Sequence, residues 1–181
     1  MKKMIQQGLS IAALSVCASN AFAHGDTGSV GAGVGASYGV IGGSFDLKLV
    51  DKLYASAGIG AAGDELGYNF GLRYYLADSD RVWRPRLVAN YGTNGLINRK
   101  VCIWDDICSD GEYETFEGAS FGLGQSVGWG SRFRHGFEAD ILYIVTDGGK
   151  EDRLDELKAE GFDVDGGSSK VYFSIGYRFS F

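Results

Sequence analysis

Twelve consecutive residues near the end of the chain alternate strictly in polarity. Val171, Phe173, Ile175, Tyr177, Phe179 and Phe181 form one row, and Lys170, Tyr172, Ser174, Gly176, Arg178 and Ser180 form the other. A period of two places successive side chains on opposite faces of an extended strand, so the segment reads as β-structure with one apolar, aromatic face. Any fold that contains it must give that aromatic row an apolar environment.

The same alternation recurs seven times upstream. Gly28 to Tyr38 sets Val30, Ala32, Val34, Ala36 and Tyr38 against glycine and serine, and Ile41 to Leu49 sets Phe45 and Leu47 against Asp46 and Lys48. Leu53 to Ala61, Tyr68 to Leu76 and Arg84 to Tyr91 follow, the last with Pro85 near its start, where a missing N–H is tolerated. The sixth strand, Thr115 to Trp129, carries Glu117 on its apolar row by parity, which requires a bulge or a position above the apolar zone. Phe133 to Val145 is the seventh. Eight strands joined by alternately short connections (Val50 to Lys52, Ala77 to Trp83, Gly130 to Arg132) and longer ones predict an all-β fold, an eight-stranded antiparallel up-and-down barrel.

The second row decides which way the barrel faces. It holds glycine and serine on strands one, three and six, and Asp46, Lys48, Arg73, Arg86, Arg134, Glu138, Asp140, Lys170 and Arg178 elsewhere. As the lining of a narrow barrel, the small residues leave room for the long charged ones. The expected structure is therefore a transmembrane barrel with its apolar row toward lipid. Eight strands enclose only enough space for side chains, so the charges are expected to pair with one another rather than line a path. Tyr38, Tyr68, Tyr74, Tyr91, Trp129, Tyr143, Tyr177 and Phe181 are placed to form aromatic girdles at the two interfaces.

Met1 to Ala23 has the form of a secretory signal peptide, with Lys2 and Lys3 before an apolar centre and Ala21, Phe22, Ala23 as a cleavage site. Residues 24–181 would then be the barrel domain. Loss of the two lysines takes the net charge from −6 to −8, which leaves no basic footprint for nucleic acid. No run of 18 apolar residues exists, so a membrane helix is excluded. Cys102 and Cys108 are the only cysteines after the leader, and an exported chain meets an oxidising compartment, so a bridge between them is expected. Asp163, Val164, Asp165, Gly166 begins like a calcium loop, but Ser174 stands where the bidentate Glu belongs. No metal or other cofactor is expected.

The alternating strand that ends on Phe181 resembles the C-terminal strand of bacterial outer-membrane β-barrels. Pattern, length and termini resemble the small OmpA/OmpX-type and opacity-protein-like family over the whole mature chain. That resemblance implies the outer membrane, a monomer in contact with its lipids and lipopolysaccharide, and Tyr177, Phe179 and Phe181 as the signal read by the barrel-assembly machinery. It also implies that residues 92–114 and 147–169, the latter with a short exposed helix over Glu151 to Glu160, are displayed outside toward an extracellular ligand or host surface. The leading expectation is a non-enzymatic structural or surface-interaction protein. A narrow porin-like channel is one alternative. A lipid A-modifying enzyme is the other, although His135 falls near the periplasmic start of strand seven, far from outer-leaflet chemistry.

Overall fold

The computed structural model describes residues 27–104, 107–160, 163–165 and 169–181, with side chains outside 98–112 and 161–168. The expected signal peptide, 1–23, lies outside the described residues. The strands are β1 (Gly28–Gly35), β2 (Val40–Val50), β3 (Leu53–Ala62), β4 (Glu65–Tyr75), β5 (Trp83–Trp104), β6 (Ile107–Trp129), β7 (His135–Ile144), β8 (Asp163–Asp165) and β9 (Val171–Ser180), with one helix, α1 (Lys150–Ala159). Each barrel strand pairs antiparallel with its predecessor, and β9 pairs with β7 on one side and β1 on the other, so eight strands close without an edge. The chain is an all-β, eight-stranded antiparallel up-and-down barrel. Closure gives each barrel strand a hydrogen-bonded neighbour on both sides, which a sheet with free edges could not do.

Alternation along the strands becomes an inside and an outside. Phe45, Leu47, Ile59, Leu72, Leu87, Leu123, Ile141 and Ile175 all point outward and are exposed, Leu123 by 63%. Asp46, Arg73, Arg86, Glu138, Asp140 and Arg178 point inward and are buried. The polarity of a water-soluble core is thus reversed.

The first strand is shorter than its alternation suggests. β1 stops at Gly35, and Ala36 to Tyr38 form a single 3₁₀ turn inside the barrel, all three residues buried. Tyr38, placed by parity in an outer girdle, is 1% exposed. Two reasons are visible. Gly35 (φ 112°) and Gly39 (φ 63°) supply backbone conformations that turn the chain in and back out. The turn is also held from three strands: Ser37 N donates to Ser174 Oγ at 3.1 Å, Ser37 Oγ to Asp140 Oδ2 at 2.9 Å, and Asn69 Nδ2 to the Ala36 carbonyl. Ala36 packs against Val88 and Leu142 across the lumen. The glycine-rich wall makes room: a Cβ on Gly58 would sit 2.7 Å from the Ser37 carbonyl oxygen, and one on Gly42 2.7 Å from that of Tyr38.

The connection expected over 92–114 is mostly strand. β5 and β6, of 22 and 23 residues, run on past the barrel as a hairpin, and β8 pairs with Asn98 to Lys100 along its side. A bulge at Asn94, between the Thr93–Glu117 and Gly95–Phe116 pairs, marks where the hairpin leaves the wall. Helix α1 forms over the predicted segment, yet it is not simply exposed. Leu154 and Leu157 are buried on Ile97 with Phe116 beside them, and Arg153 Nε reaches Glu114 Oε2 at 3.2 Å. The hairpin, β8 and α1 together build one cap over that end of the barrel.

A side chain at position 58 must displace the inward turn. Gly58→Val is expected to lower stability by about 1–3 kcal/mol, read from the urea midpoint of the refolded barrel. Gly43→Ala, whose Cβ would meet only the Gly31 carbonyl oxygen at 3.4 Å, should leave that midpoint in place.

Candidate functional site

The inward row condenses into one charged cluster at the middle of the barrel. Glu138 on β7 is its hub. Arg86 Nη1 lies 2.5 Å from Glu138 Oε1, Arg73 Nη1 3.1 Å from Oε2, and Arg178 Nε 3.3 Å from Oε1, the last close enough to pair but not aligned for a hydrogen bond. Arg73 Nη1 also donates to Asp46 Oδ2 at 2.8 Å, and Arg86 donates to Asp140 Oδ1 from Nε at 2.9 Å and from Nη2 at 2.7 Å. Three carboxylates face three guanidiniums, so the cluster is neutral. Removing a charge from water is costly unless its partners restore the lost interactions, and Arg86 answers this most fully, forking Nε and Nη2 onto Asp140 Oδ1.

Register explains how long side chains fit a narrow lumen. Arg86 lies opposite Gly124, Arg178 between Gly31 and Gly136, and Glu138 between Ser126 and Gly176. Asp46 is flanked by Ser29 and Ser56, and Ser29 Oγ donates to its Oδ2 at 3.0 Å. A Cβ on Gly124 would fall 2.8 Å from Arg86 Nε, so the arginine occupies the space the glycine leaves. Small residues are thus placed beside most of these charges by strand pairing, not by sequence proximity, while Arg73 lies between Tyr54 and Val88.

Six of the nine charged residues expected in the interior meet in this cluster: Asp46, Arg73, Arg86, Glu138, Asp140 and Arg178. Lys48, Arg134 and Lys170 do not. Lys48 stands close to the β2–β3 turn and reaches out to Asp51 at 3.6 Å. Arg134 precedes β7, which begins at His135 rather than at Phe133, so it lines a mouth of the barrel instead of its middle. Lys170 precedes β9, is exposed, and pairs with Glu151 of α1 at 3.2 Å. Strand ends, not parity, decide these three positions.

Other interior residues were legible only in part. Tyr75 donates toward Glu138 Oε1 at 3.4 Å, accepts from Arg86 Nη1 at 3.0 Å, and carries the guanidinium of Arg84 on its ring at 4.0 Å. Parity places Tyr75 and Arg84 inside, and that signal was available. Parity also places Ser37 inside, as found, whereas Tyr38 had the opposite parity and is inside because it follows the end of β1. The ladder sets Cys102 opposite Cys108, while the two side chains lie outside the described residues.

At the end of the barrel with the short turns, Trp129, His135, Phe137 and Tyr177 form an outward aromatic patch, with Trp129 and Phe137 ring centroids 4.8 Å apart and His135 Nδ1 in hydrogen-bond contact with Tyr177. Phe181, expected in the lipid-facing row, is 7% exposed. Its backbone bonds to Thr27 and Gly28 fold the ring onto Gly28 and within 6.4 Å of Phe45. Among the described residues no group of His, Cys, Asp and Glu is arranged to hold a metal ion.

No family model and no curated protein matches the chain. Among solved structures it is similar to the N-terminal β-barrel domain of Pseudomonas aeruginosa OprF, at 13% identity and a TM-score of 0.46, over 87% of this chain and 100% of that domain.

Removing the hub should be costly because three guanidiniums would remain buried around it. Glu138→Ala is expected to destabilise the refolded barrel by about 3–5 kcal/mol. A Glu138→Leu, Arg86→Met double variant should recover part of that loss. Both are read from urea midpoints, and an additive double variant would show that the pair is not coupled.

Proposed function

We propose that the chain spans the bacterial outer membrane as a non-enzymatic barrel that serves as a structural scaffold and presents its cap to the outside. One observation carries this reading: a closed belt of exposed aliphatic and aromatic residues surrounds a buried charged interior. Phe173 is 70% exposed, Leu66 67%, Ile41 62% and Phe137 60%, and such residues occur on all eight barrel strands. A contiguous apolar surface of that extent is unsustainable in water and is what a lipid-facing barrel requires. Tyr74, Tyr91, Trp129, Tyr143 and Tyr177 add outward aromatic rings suited to membrane interfaces.

In this reading the leader at 1–23 directs export, the short-turn end faces the periplasm and the cap faces outward among lipopolysaccharide. Phe181, with Tyr177 and Phe179, serves as the assembly signal. Cys102 and Cys108 bridge the two strands of the cap hairpin. An extracellular ligand or host surface would meet the hairpin and α1 rather than two separate flexible loops.

The charged cluster and the inward turn at Ala36 to Tyr38 fill the same section of the lumen, which supports a scaffold over a narrow channel. A silent planar bilayer is expected from the refolded protein. Reproducible unitary conductance would favour the channel. His135 engages Tyr177 and Trp129, and among the described residues no serine is hydrogen-bonded to it, which weighs against nucleophilic chemistry there.

Insertion tests the membrane reading directly. The refolded chain is expected to enter lipid vesicles and to show heat-modifiable gel mobility. Leu123→Arg, in mid-belt, should oppose insertion by about 2–4 kcal/mol, whereas the same change at a cap position should not. A soluble monomer that ignores vesicles would overturn the reading.

A further inference from the structure

The short-turn end of the barrel holds cations that its own acids leave unanswered. Arg84, at the start of β5, and Arg132 and Arg134, in the turn between β6 and β7, line one mouth. The acids nearby have other partners. Asp51 pairs with Lys48 at 3.6 Å, Asp80 on the rim with Arg81 at 3.7 Å, and Asp78, within electrostatic reach of Arg84, is bonded to Lys52 at 2.9 Å. The Phe181 main-chain oxygen accepts from Thr27 N and Oγ1 and from Gly28 N. Among the described residues none of the three arginines is ion-paired.

Two polar side chains lining this mouth, Arg84 and Ser180, are more than nine-tenths buried, and the Arg84 Nε and Ser180 Oγ atoms have no hydrogen-bond partner. Stacking on the Tyr75 ring at 4.0 Å covers a face of the Arg84 guanidinium and leaves its in-plane donors unanswered. Burying a donor without a partner is costly. Ser180 N donates to the Arg134 carbonyl at 2.7 Å, which ties the end of β9 to the turn. That turn is strained, with Arg132 (φ 57°) and Phe133 (φ 52°) both in the left-handed region that residues other than glycine rarely adopt. It brings Phe133 over Gly128, where an added Cβ would lie 2.9 Å from the Phe133 Cβ, and so to the mouth rather than to the lipid-facing row of its parity. The enclosed cavity is about 270 Å³, near the lower bound for small-ligand sites. Phe133 and Phe181 give it an apolar wall.

Guanidinium forks match phosphoryl and carboxylate oxygens. A carboxylate brings two oxygens and one charge, whereas a phosphate monoester brings three terminal oxygens and about two charges at neutral pH, a better match to three arginines and a hydroxyl. We infer that this mouth binds a phosphate monoester, its phosphoryl group on Arg84, Arg132, Arg134 and Ser180 Oγ and its apolar group against Phe133 and Phe181. Free phosphate shares the phosphoryl chemistry but lacks the group that the rings receive. In the membrane reading this mouth opens to the periplasm, yet the site itself requires only the folded barrel.

Isothermal titration calorimetry of the refolded protein in a nonionic detergent tests it with phenyl phosphate, inorganic phosphate and benzoate. Heat-modifiable gel mobility confirms the fold of each preparation. Phenyl phosphate is expected to bind once per chain and more tightly than either of the others. Arg134→Gln should weaken it about tenfold, the loss of one charge-assisted hydrogen bond, and Arg84→Gln by as much. Ser180→Ala should cost less. Lys48→Gln removes a charge from the same end of the barrel but outside the cavity, and should leave the affinity unchanged. Folded protein that gives no saturable heat overturns the site, as does a loss in Lys48→Gln equal to that in Arg134→Gln, which would mark diffuse attraction. Benzoate binding as tightly as phenyl phosphate overturns the phosphoryl assignment, and inorganic phosphate doing so overturns the monoester in favour of free phosphate.

Discussion

Everything in this barrel is arranged around the need to keep Glu138 company. Its carboxylate sits in the middle of the molecule, within reach of Arg73, Arg86 and Arg178, and each of those arginines is as buried as it is. Charges so placed tolerate no vacancy, since a single loss strands the others in a medium that cannot solvate them. The register, and the small residues beside most of these charges, meet that demand in a lumen one side chain wide. The apolar exterior is the other half of the same arrangement. Having spent its polar residues inside, the chain presents aliphatic and aromatic rows outward.

Glycine does two jobs here. On β6 and β7 it stands opposite the long charged residues, so that Gly124 and Gly136 provide the volume that Arg86 and Arg178 occupy, while Gly176 on β9 leaves room for Tyr38 Oη. On β2 and β3 it lets backbone approach backbone, where Gly42, Gly58 and Gly60 lie against the turn from Ala36 to Tyr38. The first use was legible as a face rich in small residues among charged ones. The second was not, because nothing in Ala36, Ser37 and Tyr38 breaks the period of two; the inward turn is fixed by Ser174, Asp140 and Asn69, which are distant in sequence.

Period-two patterning thus disclosed the eight strands, their order and the inside of each, and six charged residues that meet. It did not disclose where strands stop. Lys48, Arg134 and Lys170 have interior parity but stand at strand ends, where side chains reach water or a neighbouring acid. The cap was hidden for a related reason. Polar residues between 92 and 114 look like a loop, yet a hairpin needs only one apolar stripe, and here Ile97 and Phe116 receive Leu154 and Leu157 from a helix that follows β7 in the chain. Such long-range partnerships leave little trace in local composition.

The central claim is that alternate residues of one strand face lipid and a charged interior. In a cysteine-free background, a nitroxide placed singly at each position from Val171 to Ser180 reports oxygen accessibility in lipid vesicles. A barrel in the membrane requires high accessibility at 171, 173, 175 and 177 and low accessibility at 174, 178 and 180. A flat profile, or one with the opposite phase, would contradict it.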